Sequence, residues 1–220
     1  VRDTIIALAV ITTTMANMMA LVQKDVKRML AYSSISHAGF VLVAIALDST
    51  KGYASIFLYY GLFMFTNLGA FAILWVSRHK YNIHHDRFHN PYTKFAGMIK
   101  SSPVAAVIMA IFMLSLAGVP PFSLFWGKLY LLSAIVDSGW YIVALIMALN
   151  SAIAVYYYLK LIVYMFLKEP DLNGGKVVYA NRARSLEFVI GIAAFVTITS
   201  VFYIDPLLSF ITDLVGASGY

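Results

Sequence analysis

The fold is decided by residues 114–136, LSLAGVPPFSLFWGKLYLLSAIV. This run is almost wholly apolar, yet it contains Lys128 and a proline pair, Pro120-Pro121. Proline removes a backbone donor and clashes with the preceding turn, so a helix that enters this run breaks at the pair. A charged side chain is costly wherever such a run is buried. The stretch therefore predicts a broken helix with a lysine beside the break.

The composition of the chain indicates a membrane protein. Hydrophobic residues make up 61% of the 220 residues and charged residues only 12%, whereas an ordinary soluble domain carries about 25% charged residues. The absence of cysteine excludes disulfides, iron–sulfur clusters and thiolate metal sites within this chain. The net charge of +6 does not indicate a nucleic-acid partner, because in a membrane protein the position of the positive charges matters more than their sum.

Six apolar stretches are long enough to cross a bilayer, which takes about 20 residues. They fall at about 4–22, 29–47, 53–77, 103–136, 140–167 and 186–208. The fourth stretch would reach about 50 Å as one helix, and the proline pair splits it into two half-helices. Unwound backbone at membrane depth persists only where it is buried in protein or faces a wet cavity. We therefore expect an all-α polytopic membrane protein with six transmembrane segments, the fourth a discontinuous helix.

Basic residues concentrate in the first, third and fifth connections between these spans, which together hold twelve, against one in the second and none in the fourth. The twelve are Lys24, Lys27, Arg28, Arg78, Lys80, Arg87, Lys94, Lys100, Lys168, Lys176, Arg182 and Arg184. By the positive-inside rule the odd connections are cytoplasmic, and both ends of this chain lie on the outer side. Besides Arg2 near the start, only Lys128 and Lys160 remain, and both fall within spans.

Lys128 has no acidic partner in its span, because all ten Asp and Glu residues lie at or near span ends. Either its partner lies on another segment or subunit, or the lysine spends part of its time in the neutral form, since burial penalises a charge. The alternative is snorkelling, with the stem along lipid and the ammonium at the interface. Lys128 lies seven residues past the break and nine before Asp137, which favours a functional role inside the membrane.

Three further residues are candidates for proton transfer, each with a simpler alternative. His37 lies near the middle of the second span, either as a packed, hydrogen-bonded histidine or as a proton relay. Lys160 either snorkels to the nearer interface or lines the polar path. Lys27 is either a positive-inside anchor or a point of proton uptake. We predict Lys128, His37, Lys160 and Lys27 as the proton-transfer residues.

The remaining polar and aromatic groups fit structural roles more readily. We expect Tyr156, Tyr157 and Tyr158 to be packing and interface aromatics. Polar residues in the apolar spans, individually ordinary contacts between helices, together suggest a hydrated seam: Thr12, Thr13, Thr14, Asn17 and Asn67. Four histidines in the third connection favour a solvated loop over a metal site: His79, His84, His85 and His89. We expect no metal site and no cofactor site in this chain.

Three stretches together carry a resemblance: KDVKRMLAYSSISHAGF (24–40), MLSLAGVPPFSLFWGKLYLL (113–132) and SAIAVYYYLKLIVYMF (151–166). They resemble the antiporter-like membrane subunits of respiratory complex I, the NADH–quinone oxidoreductase. The similarity runs through all six spans, and the first stretch is shared with multisubunit sodium/proton antiporters. The second stretch ends in GKLYL, and not in a form with a glutamate or with the pattern SK-E. This ending favours one particular subunit of complex I. The stretch PPFSLF departs from the commoner PPTAGF, which leaves open a difference in water access at the break.

The resemblance implies an architecture of inverted repeats. The chain, a single transmembrane domain over 1–220, would hold the second repeat at about 3–168 and a final helix at about 185–210. Because it starts at Val1 and enters an apolar run at once, we expect it to be the C-terminal portion of a longer protein. Lys128 matches the family's lysine on the discontinuous helix. Lys27, His37 and Lys160 match polar positions whose roles carry over less directly.

The resemblance also implies a function. The chain would belong to a translocase that moves protons through a lysine-based polar axis while quinone is reduced elsewhere. NADH, FMN, iron–sulfur clusters and quinone would bind other subunits. The expected partners are neighbouring antiporter-like subunits and the lipid of a bacterial inner membrane. One rival is a subunit of a monovalent cation/proton antiporter without redox coupling. Another is a passive scaffold, in which Lys128→Met costs little.

Overall fold

The computed structural model describes residues 1–79, 90–169, 177–179 and 184–217, and helices dominate this part of the chain. The helices are α1 (Arg2–Val22), α2 (Val26–Leu47), α3 (Thr50–Val76), α4 (Met98–Ser101), α5 (Pro103–Ala117), α6 (Ser123–Asp137), α7 (Tyr141–Leu167), α8 (Arg184–Thr199) and α9 (Ile204–Ala217). Short 3₁₀ turns occupy Tyr92–Phe95 and Ser200–Phe202. Two short strands, β1 (Ser77–His79) and β2 (Val177–Tyr179), pair antiparallel.

Five of the helical segments are long and apolar enough to cross a membrane. They are α1, α2, α3, α7 and the segment Arg184–Phe202 formed by α8 and the turn that follows it. The prediction of an all-α membrane protein is confirmed. In place of the fourth predicted stretch, the structure has α5 and α6 of 15 residues each. Each is about 22 Å long, which is too short to cross the hydrocarbon core alone.

The break between α5 and α6 occupies residues 118–122. Gly118 ends α5 with φ of 82°, a left-handed conformation that glycine adopts without the penalty a Cβ imposes. Pro120 and Pro121 follow, and neither can donate the backbone hydrogen bond that would continue the helix. The local sequence therefore interrupts the helix where the proline pair predicted.

The last predicted span differs from the observed one. A continuous apolar stretch was expected over 186–208, but α8 ends at Thr199 and α9 begins at Ile204. Pro206 explains the interruption, because it has no N–H for the carbonyl of Phe202 and is tolerated only in the first turn of a new helix. The chain bends here, and α9 then packs against α3.

The start of α2 is tied to the segment that follows the third connection. The side chain of Asp25 accepts a hydrogen bond from Arg28 N at 3.0 Å and so caps α2. Its other oxygen accepts from Asn90 N at 2.7 Å, and Val26 N donates to Asn90 O at 2.8 Å. An N-terminal cap adds about 1 kcal/mol to helix stability. The same aspartate therefore starts α2 and anchors the returning chain.

The predicted histidine-rich loop falls largely outside the described residues. His84, His85 and His89 lie in the undescribed range 80–89, and His79 ends β1. Within the described ranges, no group of three histidine or acidic side chains is close enough to hold a metal ion.

Helix α3 lies at the centre of the bundle, in contact with α2, α5, α6, α8 and α9, while α1 packs along α2. Two glycines allow neighbouring helices to approach each other closely. A Cβ on Gly39 would lie 2.0 Å from Thr13 Oγ1 across the α1–α2 contact, and one on Gly69 would lie 2.3 Å from Phe112 Cζ. Large apolar side chains such as Trp75 and Phe195 point outward, as a lipid or protein environment requires.

Gly39→Ala should destabilise the bundle. The added methyl group would force Thr13 out of the α1–α2 contact, and overpacking of this kind costs about 1–3 kcal/mol. The matched control is Gly61→Ala in α3, where a Cβ meets nothing within 4 Å and the better helix propensity of alanine is retained. Thermal unfolding of the purified full-length protein in lipid nanodiscs measures both. Equal melting temperatures for the two variants would contradict the close contact at Gly39.

Candidate functional site

Lys128 lies in the second turn of α6, with only 6% of its surface exposed. Its ammonium donates three hydrogen bonds: to Leu116 O at 2.9 Å, to Ala117 O at 3.2 Å and to Ser151 Oγ at 3.0 Å. An ammonium group has three N–H donors, so each of them has a partner. All three partners are neutral oxygens, two at the end of α5 and one on α7.

The end of α5 is a suitable acceptor because of its helix geometry. The last four carbonyls of a helix lack intrahelical partners. Gly118 N donates to Ser115 O at 2.9 Å and Val119 N donates to Leu114 O at 3.0 Å. The remaining two carbonyls, those of Leu116 and Ala117, are the ones that Lys128 takes. The negative end of the helix dipole also lies here, so the half-helix stands in for a carboxylate counter-ion.

Gly118 leaves the space that this contact needs. A Cβ on Gly118 would lie 3.1 Å from Lys128 Cδ and 3.2 Å from its Nζ, which is closer than ordinary van der Waals contact. Two features therefore favour glycine at position 118: the positive φ and the lysine stem that passes over it.

A cluster of four buried hydroxyls joins the two sides of the break. Ser115 Oγ, on α5, accepts from Leu124 N at 3.4 Å and shares a 3.0 Å hydrogen bond with Ser123 Oγ. Thr66 Oγ1, on α3, contacts Ser123 Oγ at 3.4 Å and Thr197 Oγ1, on α8, at 3.2 Å. Ser115 thus caps the start of α6 while Lys128 caps the end of α5, and each half-helix satisfies backbone groups of the other.

His37 is buried on α2 and is hydrogen-bonded at both ring nitrogens. Nδ1 contacts the hydroxyl of Tyr59 on α3, and Nε2 lies 3.2 Å from the hydroxyl of Tyr158 on α7. The Tyr158 hydroxyl also contacts Ser33 Oγ. A neutral imidazole has one donor and one acceptor nitrogen, so the two tyrosines take opposite roles. The chain Ser33–Tyr158–His37–Tyr59 can therefore pass a proton by exchanging donors and acceptors along its length.

Tyr59 brings this chain next to the lysine site. A Cβ on Gly127 would lie 3.0 Å from Tyr59 Cδ2 and 3.2 Å from Tyr59 Cα. The glycine that precedes Lys128 therefore allows α6 to lie directly against α3. As a result, Tyr59 contacts His37 through its hydroxyl and packs against Gly127, the residue before Lys128.

A second buried network ties α1 to α7. Asn17 Nδ2 donates to Asn150 O at 3.1 Å and to Asn150 Oδ1 at 3.0 Å. Tyr157 donates to Asn17 Oδ1 at 3.0 Å, and Asn150 Nδ2 donates to Thr14 Oγ1 at 3.1 Å. These interactions fit the role of a contact between helices that the sequence predicted for Asn17 and Thr14.

The structure does not bring Lys160 and Lys27 into these buried networks. Lys160 is half-buried on α7, with its Nζ 4.5 Å from the centre of the Tyr92 ring. Burial raises the pKa of the Tyr92 hydroxyl, so the ring beneath the lysine stays neutral. Lys27 is exposed in the first turn of α2. Lys27 lies beside the first connection, and Lys160 lies about two turns before the end of α7, where the fifth connection begins.

Several site residues were missed by the sequence analysis or were predicted to be packing alone. They are Tyr59, Thr66, Ser115, Ser123, Ser151, Tyr157, Tyr158 and Thr197. One signal was available: Ser151 and Tyr158 are seven residues apart in an apolar span, a spacing that puts both on one face of a helix. The others become visible only when neighbouring helices are packed.

A comparison with protein families places the chain. The model of a family described as "NADH:quinone oxidoreductase/Mrp antiporter, TM" matches residues 1–154. A relative named NADH-quinone oxidoreductase subunit N, from Sulfurovum sp. (strain NBC37-1), is 63% identical over 220 residues. The match covers 100% of this chain and 44% of that protein. The chain thus spans less than half the length of this relative, whose name is that of the subunit favoured by the GKLYL ending.

Two solved structures share the fold. A chain of respiratory complex I from Thermus thermophilus with bound aureothin superposes with a TM-score of 0.79 at 24% identity, covering 94% of this chain and 45% of that one. A chain of the membrane-bound sulfane sulfur reductase, an archaeal respiratory membrane complex, gives 0.83 at 25% identity, covering 98% of this chain and 42% of that one. The resemblance predicted from the three stretches is confirmed. This chain belongs to the NADH:quinone oxidoreductase/Mrp antiporter family of transmembrane proteins.

Proposed function

We propose that this chain is the C-terminal part of the proton-translocating subunit N of a bacterial NADH–quinone oxidoreductase, with Lys128 as its central proton-carrying group. The observation that carries the proposal is a buried lysine whose three partners are all neutral oxygens. A lysine held by a carboxylate stays charged, because the opposite charge favours the ammonium form. A lysine held by dipoles alone loses its proton more easily when the charge around it changes.

Lys128 alternates between two states in this mechanism. In the charged state, the carbonyls of Leu116 and Ala117 hold the ammonium at the end of α5. In the neutral state that hold weakens, because hydrogen bonds to charged groups are roughly twice as strong as those between neutral groups. The Tyr59–His37–Tyr158 chain offers the neighbouring groups for proton movement. Lys27 and Lys160, near the helix ends, take part in proton uptake from the cytoplasmic surface.

The proposed membrane arrangement treats α5 and α6 as one discontinuous span. The chain then has six spans, with the second repeat over about 3–168 and a final helix at about 185–210. The basic first, third and fifth connections lie in the cytoplasm and both ends of this chain lie on the outer side of the bacterial inner membrane. The broken helix then lies at membrane depth, where broken helices of transporters bind ions.

The partners in this proposal are the neighbouring antiporter-like subunits and the surrounding lipid. The exposed apolar side chains of α1, α3 and α7 supply the contact surfaces, Met15, Trp75 and Leu149 among them. NADH, FMN, the iron–sulfur clusters and quinone bind other subunits, and this chain contributes the proton path rather than a redox centre. The redox reaction changes the charge near Lys128 through those neighbours.

Lys128→Met in the full-length protein should abolish most proton translocation. Methionine fills similar space but offers no N–H donor and no proton, so we expect NADH-driven pumping in inverted membrane vesicles to fall about tenfold or more. Quinone reduction should slow with it, and assembly is checked by blue native electrophoresis. Undiminished pumping by an assembled variant would refute the proposal and favour a passive scaffold. Sodium/proton exchange without NADH-linked pumping in the unmodified vesicles would favour the antiporter alternative.

Tyr158→Phe should slow pumping several-fold in an assembled complex, because it removes the hydroxyl that links Ser33 to His37 while the ring stays in place. Tyr156→Phe is the matched control, since the Tyr156 side chain is 63% exposed on the same helix. Proton pumping and quinone reduction are measured in the same vesicles for both. Equal pumping rates for the two variants would remove the tyrosine–histidine chain from the proton path.

A further inference from the structure

The three partners of the Lys128 ammonium differ in one chemical respect. The carbonyls of Leu116 and Ala117 can only accept a hydrogen bond, whereas the hydroxyl of Ser151 can accept and donate. We infer that Ser151 is the residue through which Lys128 gives up and regains its proton. This inference rests on the proposed function and assigns a role to a residue on a different helix from the lysine.

The hydrogen-bond count on Lys128 supports this role. The charged ammonium has three N–H groups, which match its three acceptors. The neutral amine has two N–H groups and one lone pair, and a lone pair needs a donor. Two backbone carbonyls cannot supply one, so the amine keeps them as acceptors and turns its lone pair to the Ser151 hydroxyl. Ser151 is the one partner that fits both states of the lysine.

Proton transfer from Lys128 through Ser151 needs water as its only other reactant. As the Nζ–H bond breaks, an O–H bond forms on Ser151 Oγ, and the original hydroxyl proton moves to a water molecule on the far side. The lysine is left neutral, the serine is unchanged, and the positive charge passes to water. The reverse sequence reloads the lysine.

The position of Ser151 suits a connecting role. Its side chain is half-buried on α7 and contacts Lys128, so the described residues do not fully enclose it. Ala154 and Tyr158 follow three and seven residues later, both buried, on the same helical face. Ser151 and Tyr158 are about 10 Å apart along the axis. In this proposal a water chain along this face of α7 would connect Ser151 to the Tyr158 hydroxyl that is bonded to His37.

The test uses Ser151→Ala and Ser151→Thr in the assembled complex in inverted membrane vesicles. The matched control is Ser138→Ala, where the hydroxyl of the residue that follows α6 donates to the carbonyl of Ala134, four residues earlier. We expect Ser151→Ala to pump about tenfold more slowly with a larger solvent deuterium isotope effect, because proton transfer becomes rate-limiting. Ser151→Thr keeps the hydroxyl and should retain most of the rate. Ser151→Cys, close in volume but a weak hydrogen-bonding group, replaces the alanine variant if that variant does not assemble.

Two results would overturn the inference. One is a pumping rate for Ser151→Ala equal to that of Ser138→Ala. The other is a slower rate with an unchanged isotope effect, since a serine that only anchors the ammonium would act on the protonation equilibrium and not on the transfer step. Lys128→Met separates the two proposals. If it blocks pumping while Ser151→Ala does not, the proposed function stands and the role of Ser151 falls; if it leaves pumping intact, both fall.

Discussion

The capping of α5 by Lys128 is the interaction on which the rest of the site depends. Leaving a lysine charged and unpaired in an apolar interior costs several kcal/mol. The structure offsets that cost with two carbonyls and a hydroxyl, and a hydrogen bond to a charged group contributes about 1.5–3 kcal/mol. A continuous helix could not provide these carbonyls, because its own N–H groups would occupy them. The break and the lysine are therefore parts of one arrangement.

The surrounding packing holds this arrangement in place. The hydroxyls of Thr66, Ser115, Ser123 and Thr197 connect the two half-helices to α3 and α8, so both of these helices hold the break in place. Gly118 leaves room for the lysine stem, and Gly127 lets α6 approach Tyr59. Tyr59, which is bonded to His37, and Gly127, which precedes Lys128, lie in the same contact between α3 and α6. The lysine site and the histidine chain therefore share this contact. A change in the charge of Lys128 acts directly on the half-helix end that it caps.

The sequence predicted those features that depend on local chemistry. Pro120-Pro121 indicated the break, and a charge far from both span ends indicated Lys128. Contacts between helices could not be predicted in this way. The sequence around Ser151 does not indicate a lysine partner twenty-three residues earlier, and the sequence around Leu116 does not indicate one twelve residues later. Tyr158 was assigned to packing because aromatic residues in apolar spans usually pack, and its hydroxyl acquires a role only beside His37. The last span was predicted to continue past Pro206 because the apolar pattern continues there. The helix is interrupted before Pro206 because proline cannot donate a backbone hydrogen bond.

In the proposed mechanism, Lys128 works by releasing its proton and not merely by being positive. Lys128→Arg tests it most directly, because arginine offers N–H donors to the same carbonyls and cannot be deprotonated in a protein. We expect that the arginine variant assembles and reduces quinone slowly but pumps almost no protons in inverted vesicles. Pumping at the unmodified rate by the assembled arginine variant would contradict it, since a fixed positive charge would then suffice.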